Sequence, residues 1–304
     1  MLQSNHLSGV INISHPHKVL QEVKGILAII NADIDLKPVE EAFNDALALF
    51  KGEYPGYHGC NTYYHDQHHT LDALLSMVRL MHGASCEGVK FSESELILGA
   101  ISALFHDSGY MQAMEDNSGT GAKYTATHIQ RSIDFLLEYM KKRNYSDTDM
   151  ATATDILNCT GLNTCIAEIR FVDKTAELLG KMMGTADLLG QMSDRYYLEK
   201  LLYLYQEFRE GGISGYNSEL ELLQKTTGFF NLTEQRFKNE LGGVCKYMQT
   251  HYSVCFGYDY DPYQVSMLKN LSYLEELLAG GKDYSKFLRR GKIVRFARMQ
   301  DSQK

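Results

Sequence analysis

Apolar residues recur at spacings of three and four along most of the chain, whereas the two-residue alternation of strands is scarce. Spacings of three and four place side chains on one face of an α-helix. No repeat, low-complexity segment or shift in composition divides the chain, so we predict one all-α domain over residues 1–304, a bundle of about ten helices. The apolar pattern places helices near residues 17–31, 37–50, 66–82, 92–106, 124–142, 147–159, 166–192, 194–209, 233–250, 262–279 and 283–297.

Local signals mark the start of several of these helices. Ser92 is followed three residues later by Glu95, which is the spacing of a capping box. Asp147 and Thr233 each stand at the start of an apolar periodic run and are predicted to begin helices. Three segments lack a helical pattern and are predicted as loops: residues 52–62, 116–123 and 211–218.

The composition narrows the class of protein. Lys and Arg number 30 and Asp and Glu number 38, which gives a net charge of −8. Nucleic acid polymers and anionic membranes both select clustered positive charge, so neither is an expected partner. Residues 1–17 lack a signal-peptide pattern, and the longest apolar stretch is far shorter than the roughly 20 residues of a membrane span. Six cysteines without a CxxC pair suggest free thiols, so we expect a cytoplasmic protein.

Histidines concentrate between Tyr64 and Asp72, where three His and two Asp stand within nine residues. On a helix near 66–82, His65, His69 and Asp72 fall along one stripe, and an apolar stripe lies roughly opposite. A solvated polar face is one interpretation of this pattern. The alternative is a metal site, because imidazole and carboxylate together suit divalent transition metals.

A second candidate is the dipeptide His106-Asp107, which follows a run that is apolar on all sides and is therefore predicted to be a buried helix. An unpaired carboxylate in such a place is costly, so Asp107 should have a cation or strong hydrogen-bond donors. The alternative is that the helix simply reaches the surface at His106.

Two further candidates are weaker. Asp187 stands alone inside an apolar helical run, where Thr185, Gln191 or a metal ion could satisfy its charge. His128 lies near the start of a helix with a clear apolar face, where a single histidine is either a cap, a surface residue or a ligand.

The order of these residues along the chain resembles the H…HD…D pattern of the HD-domain metal-dependent phosphohydrolase superfamily. The stretch that begins at Tyr64 also looks like the YHNxxHxxDV signature of class I cyclic nucleotide phosphodiesterases. The resemblance covers an HD-type metal-binding core of about residues 55–210 and leaves 211–304 as a C-terminal helical extension. It implies an all-helical fold with a metal site between helices.

The resemblance also implies roles for particular side chains. His65 matches the phosphodiesterase histidine that protonates the leaving oxygen, and Asp72 or Asp66 would orient the ring of His65 or His69. His128 is a candidate ligand of a second metal ion, to which Asp107 would bridge. The cofactor would be one or two divalent ions, with Mg, Mn, Fe, Co, Ni and Zn not distinguished. The implied ligands of the first ion are His69, His106, Asp107 and Asp187.

The sequence departs from the phosphodiesterase pattern in two places. Asp66 replaces the usual Asn, and Tyr110 stands where these enzymes supply a further His near the second metal. Tyr is a poorer ligand at neutral pH, because its free pKa is about 10. Gln235 lies at the separation from Asp187 expected for the glutamine that holds the purine. Four tyrosines could line the pocket or stack on a base: Tyr57, Tyr63, Tyr64 and Tyr110.

These features predict a metal-dependent phosphohydrolase, of the phosphodiesterase or phosphatase type, that acts on a small-molecule phosphoester such as a nucleotide. One alternative is an HD-type di-iron oxygenase. Such proteins use extra histidines between the HD pair and the last Asp, and His128 is the only histidine in that interval. A second alternative is a non-catalytic ligand-binding or signalling module. Nothing in the pattern selects an oligomeric state.

The C-terminal end of the chain is basic, although the chain as a whole is acidic. A solvated helix face is one interpretation of this charge, and a docking surface for an acidic partner is the other. The basic residues are Lys286, Arg289, Arg290, Lys292, Arg295 and Arg298.

Overall fold

The computed structural model describes residues 14–281, 283–288 and 290. Within these residues the backbone forms twelve α-helices and no β-strand, and the prediction of an all-α fold is confirmed. The helices are α1 (Pro16–Ile30), α2 (Lys37–Lys51), α3 (Gln67–Cys86), α4 (Glu93–Phe105), α5 (His128–Lys141), α6 (Asp147–Asn158), α7 (Lys174–Ser193), α8 (Tyr197–Glu210), α9 (Glu219–Asn239), α10 (Lys246–Phe256), α11 (Pro262–Ala279) and α12 (Tyr284–Phe287).

Helix α3 lies at the centre of the bundle, and the other helices are arranged around it. Every residue from His69 to Ala84 is buried, because α1, α4, α7 and α10 all pack against this one helix. Apolar side chains contributed by α1 to α11 form one contiguous core cluster around it. The polar residues of α3 must therefore find their partners inside the protein.

Several helix boundaries differ from the prediction. The predicted helix 233–250 is wrong, because α9 ends at Asn239 and α10 begins at Lys246. Gly242 and Gly243 between them have φ of +65° and +66°, a left-handed conformation that ends a helix. Thr233 is buried inside α9 rather than at its start, and Ser218 caps this helix instead.

Other boundaries are shifted by local structure. The capping box of Ser92 and Glu95 is formed at the start of α4, as predicted. Helix α7 begins only at Lys174, because the Asp173 carboxylate caps it by accepting a hydrogen bond from the backbone of Ala176. Helix α5 begins at His128, after a short 3₁₀ turn.

The basic C-terminal end is only partly described. The Nε of Arg290 donates a hydrogen bond of 2.9 Å to the carboxylate of Glu199, which is completely buried, while the side chain of Arg290 itself remains 36 % exposed. Lys286 is exposed on the short helix α12. Four predicted basic positions lie outside the described residues: Arg289, Lys292, Arg295 and Arg298.

Among the described helices, none combines the length and the hydropathy that crossing a membrane requires.

Two glycines let the neighbours of α3 approach its backbone closely. A Cβ added at Gly83 would lie 1.9 Å from the carbonyl oxygen of Tyr247, so Gly83 allows α10 to pack directly onto α3. A Cβ at Gly190 would lie 3.3 Å from the backbone of Asp72 and Ala73, which brings α7 against α3. These two contacts set the distances at which side chains of α7 and α10 meet those of α3.

Replacing Gly83 by Ala should destabilise the protein, because the new methyl group would overlap a backbone carbonyl that cannot move by itself. We expect a loss of about 1–3 kcal/mol in the free energy of unfolding, measured by urea denaturation. The matched control is Gly25→Ala in α1, where no atom lies within 4 Å of the added Cβ. This control should gain about 0.5–1 kcal/mol through helix propensity. Equal stability of the two variants would contradict the close packing of α3 and α10.

Candidate metal centre and its cavity

Four polar side chains from three helices converge next to α3. His69 lies in the first turn of α3, His106 and Asp107 follow the last residue of α4, and Asp187 lies within α7. The Nε2 atoms of the two histidines are 3.2 Å apart. One oxygen of Asp107 lies 3.3 Å from each of these nitrogens, and one oxygen of Asp187 lies 3.1 Å from His69 and 3.8 Å from His106.

These distances fit a single coordination shell. With ligand bonds of about 2.1 Å, neighbouring ligand atoms are about 3.0 Å apart in an octahedral shell and about 3.4 Å apart in a tetrahedral one. The five separations given above span 3.1 to 3.8 Å. The ligand atoms of His69, His106 and Asp107 all lie within 4.8 Å of one another. A divalent metal ion could therefore be held by these residues, with Asp187 as the fourth ligand.

The electrostatics of the cluster also favour a bound cation. Burial disfavours a charged His69, yet the carboxylates of Asp107 and Asp187 outweigh it and raise the pKa of this imidazole to about 10. Burial also disfavours the charged form of Asp107, but His106 and His69 hold its pKa well below the usual range. The Oδ2 of Asp107 is buried and accepts no well-formed hydrogen bond. Asp107 and Asp187 thus share too few donors, which is the deficit that a bound cation removes.

Neighbouring hydrogen bonds fix the orientation of the ligands. The Nδ1 of His106 donates to the carbonyl oxygen of Ala103 at 2.9 Å, which leaves the lone pair of Nε2 for a metal. Asp187 accepts a hydrogen bond of 3.1 Å from Nε2 of Gln191, and the Oε1 of Gln191 in turn accepts one of 2.6 Å from the hydroxyl of Tyr64. Tyr64 is almost fully buried and supports a ligand through Gln191, and it also lines the adjoining cavity, so its contact with substrate stays a prediction.

The start of α3 positions His69. The backbone N–H of His69 donates to the Asp66 carboxylate at 2.9 Å, so Asp66 is the N-cap residue of this helix. The expectation that Asp66 orients an imidazole of the site is therefore wrong, because its carboxylate is used by the helix end. Asp72 lies one turn after His69, buried near Asp194 and Lys200. Burial, together with the charge of Asp194, raises the pKa of Asp72 to about 7.

His65 is held by a residue that the sequence analysis missed. Its Nδ1 lies 2.6 Å from Oε2 of Glu207 on α8, and the other oxygen of Glu207 accepts hydrogen bonds from the backbone of Tyr63 and Tyr64 at 2.8 and 2.7 Å. Glu207, rather than Asp72, therefore orients the His65 ring. A sequence signal existed, because Glu207 stands four residues after Tyr203 on the buried face of α8.

Three aromatic rings are stacked beside the metal ligands. Tyr110 lies between His65 and His128, with ring centroids 4.3 and 4.7 Å away. Burial, and then the charge of Asp107, raises the pKa of Tyr110 well above its usual range, so its hydroxyl keeps its proton. His128 donates from Nδ1 to the carbonyl oxygen of Thr125, and its ring lies outside the group of ligand atoms that are within 4.8 Å of one another.

A cavity of about 530 Å³ opens onto the cluster. His65, Asp107 and Asp187 form part of one wall, and the 160–164 loop borders another part. The remaining wall is mostly apolar and comes from α8, α9 and the segment between them. Its apolar residues are Leu201, Leu204, Phe208, Ile213, Tyr216, Leu222 and Phe229.

The other predicted substrate residues are placed differently. Tyr110 lines the cavity but is buried within the ring stack. Gln235 is exposed on α9 and is not part of the cavity wall, so the structure places no purine-binding role on it. Tyr57 packs against Phe135, and Tyr63 stacks on Tyr203 outside the cavity.

A comparison with known families matches most of the chain to one family profile. The family profile described as Npun_R2479-like matches residues 54–250, which is more than half of the chain. The chain therefore belongs to the Npun_R2479-like family. The matched range contains all four candidate ligands as well as His65 and Glu207. No curated protein matches the chain. The family description names no activity, so the function is argued from the geometry of the site.

Replacing His69 by Ala should abolish tight binding of a divalent metal, because it removes one of four converging ligands. We expect Mn²⁺ affinity, measured by isothermal titration calorimetry, to fall on the order of 100-fold or more. His68→Ala is the matched control, since this neighbouring imidazole is half exposed and pairs only with Asp66. A His69→Ala protein that binds Mn²⁺ as the wild type does would show that the metal is held elsewhere.

Proposed function

We propose that this member of the Npun_R2479-like family is a metal-dependent phosphohydrolase that cleaves the ester bond of a small, nucleotide-like phosphoester, with His65 as the general acid. One observation carries the proposal. His69, His106, Asp107 and Asp187 converge at the wall of the cavity from which His65 also projects, and a buried carboxylate fixes the His65 ring.

Different residues of the chain would carry out different steps of such a reaction. A divalent ion held by the four ligands would lower the pKa of water and neutralise the charge that builds on the phosphoryl oxygens. Protonated His65 would donate through Nδ1 to Glu207 and present its Nε2–H to the leaving oxygen. Tyr110, with its hydroxyl 3.4 Å from that Nε2, stacks on the His65 ring and restricts its rotation.

The charges of the cavity wall favour a substrate with few negative charges. Lys225 is the single Lys or Arg among the described residues that line the cavity, and it already pairs with Glu221 at 2.7 Å. A triphosphate needs several cationic partners in the cavity, because binding removes the water that hydrates its charges. A phosphodiester or monoester that carries a large apolar or aromatic group matches this wall better, because the wall offers apolar side chains from α8 and α9.

Replacing His65 by Asn should leave metal bound and slow the cleavage of esters with poor leaving groups. An alkyl or ribosyl oxygen needs a proton in the transition state, whereas p-nitrophenolate leaves without one. We therefore expect a loss on the order of 10²–10⁴-fold in kcat for a nucleotide ester and a much smaller loss for bis-p-nitrophenyl phosphate. The two rates are measured on the same Mn²⁺-loaded protein.

Glu207→Gln serves as a second variant, because it keeps the shape but removes the charge that faces His65. Its kcat should also fall more for the nucleotide ester than for bis-p-nitrophenyl phosphate, but by less than the kcat of His65→Asn. His68→Asn is the control and should retain wild-type rates. An equal loss of kcat for both esters in His65→Asn would refute the role of His65 as general acid. Turnover that requires Fe²⁺ and O₂ and releases no phosphate would favour the oxygenase alternative.

Replacing Phe229 by Ala should weaken the binding of substrates that carry an aromatic base. Phe229 faces the cavity from α9, and losing its contact should raise KM about 10-fold or more for a nucleotide ester while kcat changes little. A small dialkyl phosphate should show no such change. Leu232→Ala is the matched control, since Leu232 is 64 % exposed on the same helix. A KM that is unchanged for the nucleotide ester would place the base outside this cavity.

A further inference from the structure

A second group of metal-ligating side chains lies at the interface of α3 and α10. His82 and Cys86 stand four residues apart near the end of α3, and His251 and Cys255 have the same spacing on α10. A spacing of four places both side chains of each pair on one face of its helix. The chain contains no CxxC pair, and its cysteines at positions 86 and 255 are instead part of this repeated H-x3-C pattern.

The packing of the two helices brings the pairs together. Gly83, directly after His82, lets the backbone of α10 approach α3, because any Cβ there would overlap the carbonyl oxygen of Tyr247. Glu87, which follows Cys86, accepts a hydrogen bond of 2.7 Å from Thr250 and pairs with Lys246 at 3.0 Å. These contacts hold the end of α3 against the face of α10 that carries His251.

The nitrogens of His82 and His251 and the sulfur of Cys255 all lie within 4.8 Å of one another, whereas the sulfur of Cys86 lies outside this group. The Nδ1 atoms of His82 and His251 are 3.1 Å apart. The sulfur of Cys86 lies 3.7 Å from Nδ1 of His82, and that of Cys255 lies 3.9 Å from Nδ1 of His251. With Zn–N of about 2.05 Å and Zn–S of about 2.3 Å, a tetrahedron requires about 3.3 Å between nitrogens and about 3.6 Å between nitrogen and sulfur.

We propose that α3 and α10 together bind one Zn²⁺ ion through His82, His251 and Cys255, and that the exposed Cys86 turns its side chain toward the ion to supply the fourth ligand. Thiolate and imidazole in a tetrahedral arrangement select Zn²⁺ among the divalent ions. Both histidines are buried, whereas both cysteines are exposed, so the ion reaches the site from the protein surface.

The surrounding charges are compatible with this ion. The guanidinium of Arg79 lies close enough to His251 to lower its pKa, after the larger effect of burial. A bare cation there would be repelled by Arg79. Two thiolates and one Zn²⁺ sum to zero charge, so the complete site adds no net positive charge beside the arginine. Arg79 itself is held by the hydroxyl of Tyr263 at 2.8 Å.

This site is separate from the candidate catalytic centre. His82 follows His69 by thirteen residues on α3, which corresponds to about 20 Å along the helix axis. All four ligands would come from protein, which is the arrangement of structural rather than catalytic zinc. The ion would therefore fasten α10 to the central helix.

Cobalt substitution tests the proposal, because a thiolate bound to Co²⁺ gives a charge-transfer absorption that the His/Asp cluster cannot produce. Protein purified with a reductant and stripped of metal is titrated with Co²⁺ and then with Zn²⁺. The wild type should develop this absorption and lose it when Zn²⁺ is added. The Cys86→Ser/Cys255→Ser double variant should lack it and should contain one equivalent of zinc less than the wild type by elemental analysis.

Two controls separate this site from other effects. Cys165→Ser, which removes an exposed cysteine elsewhere, should keep the absorption. Asp107→Asn should also keep it, so that a failure of the proposed phosphohydrolase function leaves this result intact. Circular dichroism verifies that each variant is folded. If the double variant does not fold, the single variant Cys255→Ser is used in its place. Wild-type protein without the absorption at saturating Co²⁺, or wild-type absorption in the variants that lack the thiols of Cys86 and Cys255, would overturn the proposal.

Discussion

Two neighbouring carboxylates, the buried Asp107 and the partly exposed Asp187, impose the central constraint on this protein. They lie within 3.1–3.8 Å of the same pair of imidazole nitrogens. Protonated His69 can compensate one of them, and a divalent cation compensates both. The helices around the cluster must therefore be rigid enough to hold four ligands from three different segments at contact distance.

Helix α3 provides that rigidity because it is enclosed on every side. A buried helix cannot tilt or unwind without breaking contacts with all its neighbours. Its N-terminal turn is fixed by the Asp66 cap and carries His69, and its C-terminal turns carry His82 and Cys86. The same helix thus connects the two groups of side chains that could each hold a metal ion, and small residues such as Gly83 and Gly190 set how closely the partner helices approach.

The cavity divides into a polar wall and an apolar wall, and this division supports the proposed reaction. The polar wall carries His65 and the candidate ligands Asp107 and Asp187, where charge would develop during cleavage. The apolar wall, from α8 and α9, can bind only the part of a substrate that stays neutral. Helix α8 serves both, because its Glu207 orients His65 from behind the polar wall while Leu201 and Leu204 line the apolar wall.

The sequence by itself determined the helical fold and singled out the four residues that converge, since apolar periodicity and isolated polar residues in apolar runs are local features. It did not determine which partner each polar group would find. Glu207, Gln191 and the repeated His–Cys pairs acquire their roles only when distant helices pack together, and Gln235 loses its expected role for the same reason. Burial, contact distance and charge pairing depend on the relative placement of helices, so only the tertiary structure decided them.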